Sequence, residues 1–290
     1  DQPFLRALAM TMAAFRPETR ARLVETGLMA PTLQMLLRRG QAGGRGQAGY
    51  LSPAAHPTVF EAEQLVPERM VSAAAVLNPG EIPPMVRLRV ETEDFAPSAG
   101  LAGLSERLYS TPSAIARIWR GPQGQREMVL SATETRDPNG RDLRFHWVVL
   151  RGAEGKVRIT PLDATGQRAR LELEWHETVP LPGGRQGARV DIAAIAWNGA
   201  QFSAPAIVSI SFPTHQLRRY ETGPDGGPRL AEVDYRAQGR DYDPVLHWSA
   251  NWRDVMVYDQ AGQVTGIERD RDGDITRIDT AKLPDYTTTD

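Results

Sequence analysis

The sequence predicts an α+β protein: a helical and irregular N-terminal part, a β-sandwich in the middle third, and a C-terminal extension of β-hairpins. Three observations lead there. Prolines and glycines bracket short apolar stripes through the N-terminal part in the manner of helix caps. From about residue 113, seven short runs of alternating apolar residues are separated by Gly, Pro, Asn and Asp turns, which is the texture of a two-sheet sandwich of roughly 100 residues. Beyond residue 213, two stretches repeat a Gly-bearing turn followed by alternation. The expected divisions are residues 1–112, 113–213 and 214–290.

The helices come first. "LRALAMTMAAF" (5–15) is too short for a membrane span and has no basic leader, so an amphipathic helix is preferred over a signal remnant. Pro17 and Pro31 suit a first helical turn, where a missing N–H is harmless, and Gly27 and Gly40 follow the last apolar positions. Leu23 and Val24, then Leu33, Leu36 and Leu37, supply the buried stripes. In "GQAGGRGQAGY", Gly44, Gly46 and Gly49 have the spacing of a dinucleotide fingerprint, but a helix rather than a strand enters it and two prolines follow. A surface loop is therefore expected there. "PERMVSAAAVL" (67–77) reads as a helix, "PPMVRLRVETED" (83–94) as a strand, and 95–110 as a linker with one helical turn around "LSERLY".

The seven runs of the middle third are "AIARIW" (114–119), "REMVLSA" (126–132), "LRFHWVVL" (143–150), "KVRITPL" (156–162), "ARLELEW" (169–175), "ARVDIAAIAW" (188–197) and "PAIVSISF" (205–212). Period-2 alternation sends Leu171, Leu173 and Trp175 inward and leaves Glu172 and Glu174 as an outer row. Trp147 has the size and position of an aromatic plug between two sheets. The C-terminal repeats are "GPDGGPRLAEVDY" (223–235) and "YDQAGQVTGIER" (258–269), read as hairpins packed on the sandwich or on the N-terminal part.

"SATETRDPNGRDLRFHWVVL" resembles the second and third strands of the polycystic-kidney-disease (PKD) type of immunoglobulin-like domain, with its Asp-Pro-Asp-Gly type turn and third-strand tryptophan. "RVDIAAIAWNGAQFSAPAIVSISF" is similar to that family's closing hairpin, with Asn198 and Gly199 at the turn. The resemblance covers residues 113–213, and it departs from the family where Trp147 is followed by Val-Val-Leu-Arg-Gly instead of the Trp-Asp-Phe-Gly-Asp-Gly signature. A wider segment, from "GLMAPTLQMLLRR" through the PKD-like region, resembles a group of exported bacterial proteins that brings no established activity. That resemblance implies a periplasmic or extracellular protein. "YDQAGQVTGIER" resembles the Tyr-Asp repeats of secreted bacterial shell-forming proteins, in too few copies for a shell.

Composition narrows the chemistry. A net charge of −2 gives no basic excess for a nucleic-acid backbone, and no apolar run approaches a transmembrane length. With no cysteine there is no disulfide framework, thiolate metal site or cysteine nucleophile. Almost every cation is arginine, only Lys156 and Lys282 being lysines, which reads as codon bias. No Gly-x-Ser-x-Gly elbow, Walker loop or His-Glu-x-x-His is present.

Two kinds of candidate site remain. Asp137, Asn139 and Asp142 cluster in one proline-fixed turn, and PKD relatives sometimes bind calcium near the matching position; the same letters are also a strong turn signal by backbone preference alone. Calcium at these residues is set against a reading with no cofactor, in which the turn is a structural corner. Asp270, Asp272 and Asp274 superficially resemble an EF-hand, but their glycine comes too early and no closing glutamate follows, so a charged hairpin tip is expected. Among the histidines at 56, 146, 176, 215 and 247, His56 and His176, with Glu177 beside the latter, are the catalytic candidates. The leading expectation is a non-catalytic exported protein, or part of one, whose sandwich contacts a polysaccharide or a partner protein. The rival is a glycan-directed hydrolase with a site between the N-terminal part and the sandwich.

Overall fold

Three helices open the chain, α1 (Gln2–Ala14), α2 (Pro17–Glu25) and α3 (Met29–Arg39), followed by a short α4 (Gly46–Tyr50) and by α5 (Pro67–Val76). The computed structural model describes residues 2–97, 105–181, 185–235 and 251–279, without the side chains of 180–186. Pro17 and Pro67 each sit at a helix start as expected, whereas α3 begins two residues before Pro31. After α2, Gly27 takes φ +69°, the left-handed turn that an L side chain resists. Among the described residues, no helix is long and apolar enough to cross a membrane.

The strands that follow are β1 (Arg89–Glu93), β2 (Arg107–Thr111), β3 (Ala114–Ile118), β4 (Gln125–Ser131), β5 (Arg144–Arg151), β6 (Val157–Pro161) and β7 (Arg168–Glu174). A small hairpin, β8 (Val179–Leu181) and β9 (Arg185–Gly187), leads to β10 (Arg189–Trp197) and β11 (Ala206–Ser211). One sheet has the order β1-β4-β7-β6 and a second the order β2-β3-β11-β10-β5, with β3 parallel to β11 and every other pair antiparallel. All seven predicted runs form strands, and the inward rows of both sheets share one core that includes Leu130, Leu171, Leu173, Ile192 and Val208. β7 alternates as predicted, Leu171 and Leu173 buried and Glu174 exposed.

Sheet membership starts earlier than residue 113. β1 and β2 supply a strand to each sheet, so the linker expected over 95–110 is in its last residues a strand. Every residue of β2 is exposed at the sheet's edge, and an edge strand without a buried face has no apolar alternation to betray it. Only Arg89–Glu93 of the strand expected over 83–94 pairs; the preceding residues still bury Val86 and Leu88 in the core.

The aromatic plug is not Trp147. That ring is half-buried at the side of the core, its Nε1–H donating to Gly166 O at 2.8 Å. The centre belongs to Trp119, edge-on to Phe95 and Trp175 and stacked on Phe212 at 5.3 Å.

β10 explains how the helices attach. Val190 through Ala196 are all buried: Val190, Ile192, Ala194 and Ala196 face the two-sheet core, while Ala193 and Ile195 meet Phe15, Leu23, Leu36 and Leu77 of the helical part. A strand covered on both faces reads as a continuous apolar run, which is how "DIAAIA" reads.

The C-terminal sheet is a five-stranded meander, β12 (Leu217–Thr222), β13 (Pro228–Asp234), β14 (Arg253–Tyr258), β15 (Val264–Arg271) and β16 (Asp274–Asp279). It has its own small core of Leu230, Val233, Tyr235, Met256 and Ile267. Arg218 ties it to the first two sheets, donating to Gly121 O at 2.6 Å and Arg120 O at 3.0 Å with its guanidinium 4.0 Å from the Trp175 ring centroid. The acidic stretch 270–274 is a hairpin tip: Asp272 and Gly273 both take positive φ, and Gly273 N donates to Asp270 Oδ1 at 2.8 Å.

Candidate functional site

A groove of about 410 Å³ opens where the helical part meets the turn between β10 and β11. Its size is that of a small-ligand site, roughly 300–1,000 Å³. Arg39 reaches it from the end of α3, Arg45 and Gln47 from the glycine-rich segment, Arg69 from the first turn of α5, and Trp197 and Gln201 from the β10–β11 turn.

Each wall has a local cause. The glycine-rich segment is folded onto itself: a Cβ on Gly44 would lie 2.5 Å from Arg38 O, and one on Gly49 would lie 2.5 Å from Gly43 O. These glycines serve close backbone approach, Gly44 to the end of α3 and Gly49 within the segment, and no strand precedes them as a dinucleotide site requires. Arg69 Nη1 donates to Gln41 O at 2.8 Å and Ala42 O at 3.2 Å, fastening α5 to the chain leaving α3. The guanidinium of Arg39 lies 5.6 Å from the Tyr50 ring centroid, and burial pulls its pKa below the ordinary guanidinium value. Tyr50 is buried, donates its hydroxyl to Ser203 O at 2.7 Å, and stacks on Phe202 at 5.6 Å.

The turn is held by Asn198, one of the residues expected there. Its Oδ1 accepts from Ala200 N at 3.1 Å and Gln201 N at 2.8 Å, and its Nδ2 donates to Asp137 Oδ2 at 2.9 Å and Ile82 O at 3.2 Å. Gly199 takes φ +87°. Asp137 Oδ1 accepts from Asn139 N at 2.8 Å and Arg141 N at 3.2 Å, so N–H donors reach both oxygens of this carboxylate. The Asn139 side chain donates to Pro79 O at 3.1 Å, and Asp142 is exposed. Among the described residues no group of three or more His, Asp or Glu side chains is placed to hold a metal ion.

His56 and His176 occupy different surroundings. His56 is buried behind the groove, with Nε2 2.6 Å from Tyr50 O and Nδ1 3.3 Å from Arg38 Nη1; Nε2–H therefore donates and Nδ1 accepts. His176 lies beside Phe212 of the two-sheet core, its Nδ1–H donating to Glu174 O at 2.8 Å and its Nε2 accepting from Ala153 N at 2.9 Å. Burial lowers the pKa of His176, and partial desolvation of its carboxyl raises that of Glu177 beside it, opposed by Lys156 and Arg218. His146 packs on Phe202, His215 is buried next to Gln216, and His247 lies outside the described residues.

Burial and the Arg38 charge push the His56 pKa down to about 4, against about 6.5 for a free histidine. Below the free value the unfolded chain takes up a proton that the folded chain refuses. The contribution is therefore full above about pH 6.5 and is lost as the pH falls towards about 4, an effect of about 3 kcal/mol. Unfolding titrations of the wild type are expected to show this extra acid destabilisation relative to His56→Gln. Equal slopes for the two proteins would refute it.

No protein-family model matches the chain, and no curated protein sequence matches it. Some solved structures are similar at low TM-score. A nucleoside hydrolase-related hypothetical protein from Saccharophagus degradans, associated with carbohydrate metabolism, aligns at 15% identity and TM-score 0.28 over 59% of this chain. The chain spans 39% of that protein's length. The SrpA adhesin of Streptococcus sanguinis aligns at 12% identity and TM-score 0.26, covering 57% of this chain and 91% of its own. Tandem Ig repeats of Dlar align at 8% identity and TM-score 0.19, covering 67% and 94%.

Proposed function

We propose that the chain is a non-catalytic exported protein, or part of one, that binds a polysaccharide in the groove between its helical part and an immunoglobulin-like, PKD-type two-sheet scaffold. The observation that carries this reading is the groove's lining. Arginines, glutamine amides and an indole can grip and stack on a sugar, whereas none of the lining side chains is a carboxylate, imidazole, hydroxyl, thiol or lysine amine that could act as nucleophile or general acid–base. The rival, a hydrolase using His56 or His176 with Glu177, has less behind it: both imidazoles are already engaged at both nitrogens. The turn at 137–142 is read as a structural corner supporting the groove through Asn198, with calcium unnecessary to it, because N–H donors already meet the Asp137 oxygens.

Calorimetric titration against a polysaccharide panel, with reducing-end release measured in parallel, tests the reading. Binding without release is expected, and Trp197→Ala should weaken it about 30-fold, the loss of an aromatic anchor worth about 2 kcal/mol. Turnover abolished by His176→Ala would establish the hydrolase instead.

A further inference from the structure

Thirty-four basic residues face thirty-six acidic ones in this chain, and arginines are repeatedly matched to carboxylates. Arg117 pairs with Glu93, Arg126 with Glu106, Arg168 with Glu91, Arg189 with Asp191 and Arg269 with Asp254. The groove gathers arginines that stand outside such pairs. Arg39, Arg45 and Arg69 come from three separate elements to one concavity whose lining holds no Asp or Glu. Among the described residues none of the three has a carboxylate partner.

The positions of two of them add to the demand for an anion. Arg69 stands in the first turn of α5, where the positive end of the helix dipole disfavours a cation, and its carbonyl contacts hold one nitrogen while leaving the rest of the fork. Arg39 is partly stripped of water over Tyr50 without a counter-charge to offset the loss. Next to it in the chain but outside the groove's lining, Arg38, 6% exposed, meets His56 Nδ1 and the Phe60 ring, and its Nε has no acceptor. Positive charge is thus concentrated around a site from which carboxylates are missing.

We infer that the groove recognises an acidic glycan, a chain containing uronate residues whose carboxylate is received by Arg39, Arg45 and Arg69 while Trp197 and the two glutamines meet the sugar ring. This rests on the polysaccharide reading above and adds the ligand's charge to it. A guanidinium offers two parallel N–H donors that match the two oxygens of a carboxylate. The indole and amides alongside fit a ring with hydroxyls better than a bare ion.

Four probes titrated into the full chain decide it: an oligogalacturonate, the same oligomer with its carboxyls reduced to alcohols, a sulfated oligosaccharide, and inorganic phosphate. The uronate is expected to bind at least tenfold more tightly than the reduced oligomer and to weaken as salt is raised. Arg45→Gln, an exposed position, and Arg39→Gln should each lower uronate affinity severalfold with an unchanged thermal midpoint for Arg45→Gln. Equal binding of the charged and reduced oligomers overturns the acidic assignment and leaves the polysaccharide reading standing. Tighter binding of the sulfated oligosaccharide, or phosphate binding as well as the uronate, also overturns it. If no glycan binds, both readings fall together.

Discussion

Glu106→Gln is expected to destabilise the protein by about 3–5 kcal/mol, the range for removing one partner of a buried ion pair. Glu106 is fully buried, and both its oxygens lie 2.7 Å from Arg126 Nη2. Its Oε1 also accepts from Arg120 N and Gly121 N, each at 2.7 Å, and its Oε2 from Ala96 N at 3.0 Å. A glutamine keeps the shape, but its amide nitrogen must face one of those donor sets, and Arg126 keeps a buried charge whose remaining counter-ion is the more distant Asp94, 3.9 Å from Nη1. For a domain of this size the loss corresponds to a fall in thermal midpoint on the order of 10 °C. The double variant Glu106→Gln with Arg126→Met should recover part of the loss, because it removes the poorly matched buried charge while the glutamine oxygen still accepts from Arg120 N and Gly121 N. A single-variant loss below about 1 kcal/mol would show that the pair is dispensable.

Glu106 also marks where reading the sequence stops. It belongs to "LSERLY", which reads as a loop with a helical turn, and nothing near it names Arg126, twenty residues on. β7 was readable because its alternation meets one buried and one wet face, and β10 because helices cover its outer side and turn alternation into a continuous apolar run. β2 was not, since an exposed edge imposes no pattern on "RLYST". The Asp-Pro-Asn-Gly turn was readable as a turn, but the donor that takes Asp137 Oδ2 is Asn198, 61 residues later. The groove was hidden for the same reason: Arg39, Arg45 and Arg69 are ordinary residues in an arginine-rich chain until folding brings them together. What distinguishes them is that they meet in one concavity whose lining holds no carboxylate, a property of space that no local spacing carries.

Trp119→Ala is expected to cost about 3–5 kcal/mol, the range for deleting a buried aromatic side chain, and Trp147→Ala clearly less. Trp119 is completely buried at the end of β3, where the chain leaves one sheet for the 121–124 loop, and its Nε1–H donates to Gln123 O at 3.0 Å. Three aromatic neighbours surround it: Phe95 and Trp175 at 6.0 Å edge-on, and Phe212 stacked. Removing the indole therefore leaves a cavity bounded by rings that cannot collapse into it. Trp147 has one partner at Gly166 O and a partly wet face, so its loss removes a hydrogen bond and part of a burial. Denaturation midpoints of the two variants measured side by side check the assignment of the plug, and a larger loss at Trp147 would reverse it. Because the Arg126 guanidinium lies 5.7 Å from the Trp119 ring centroid, the Trp119 and Glu106 effects should not add. With the ring gone, Arg126 gains room and access to water, so losing its carboxylate should cost less in the Trp119→Ala background than in the wild type.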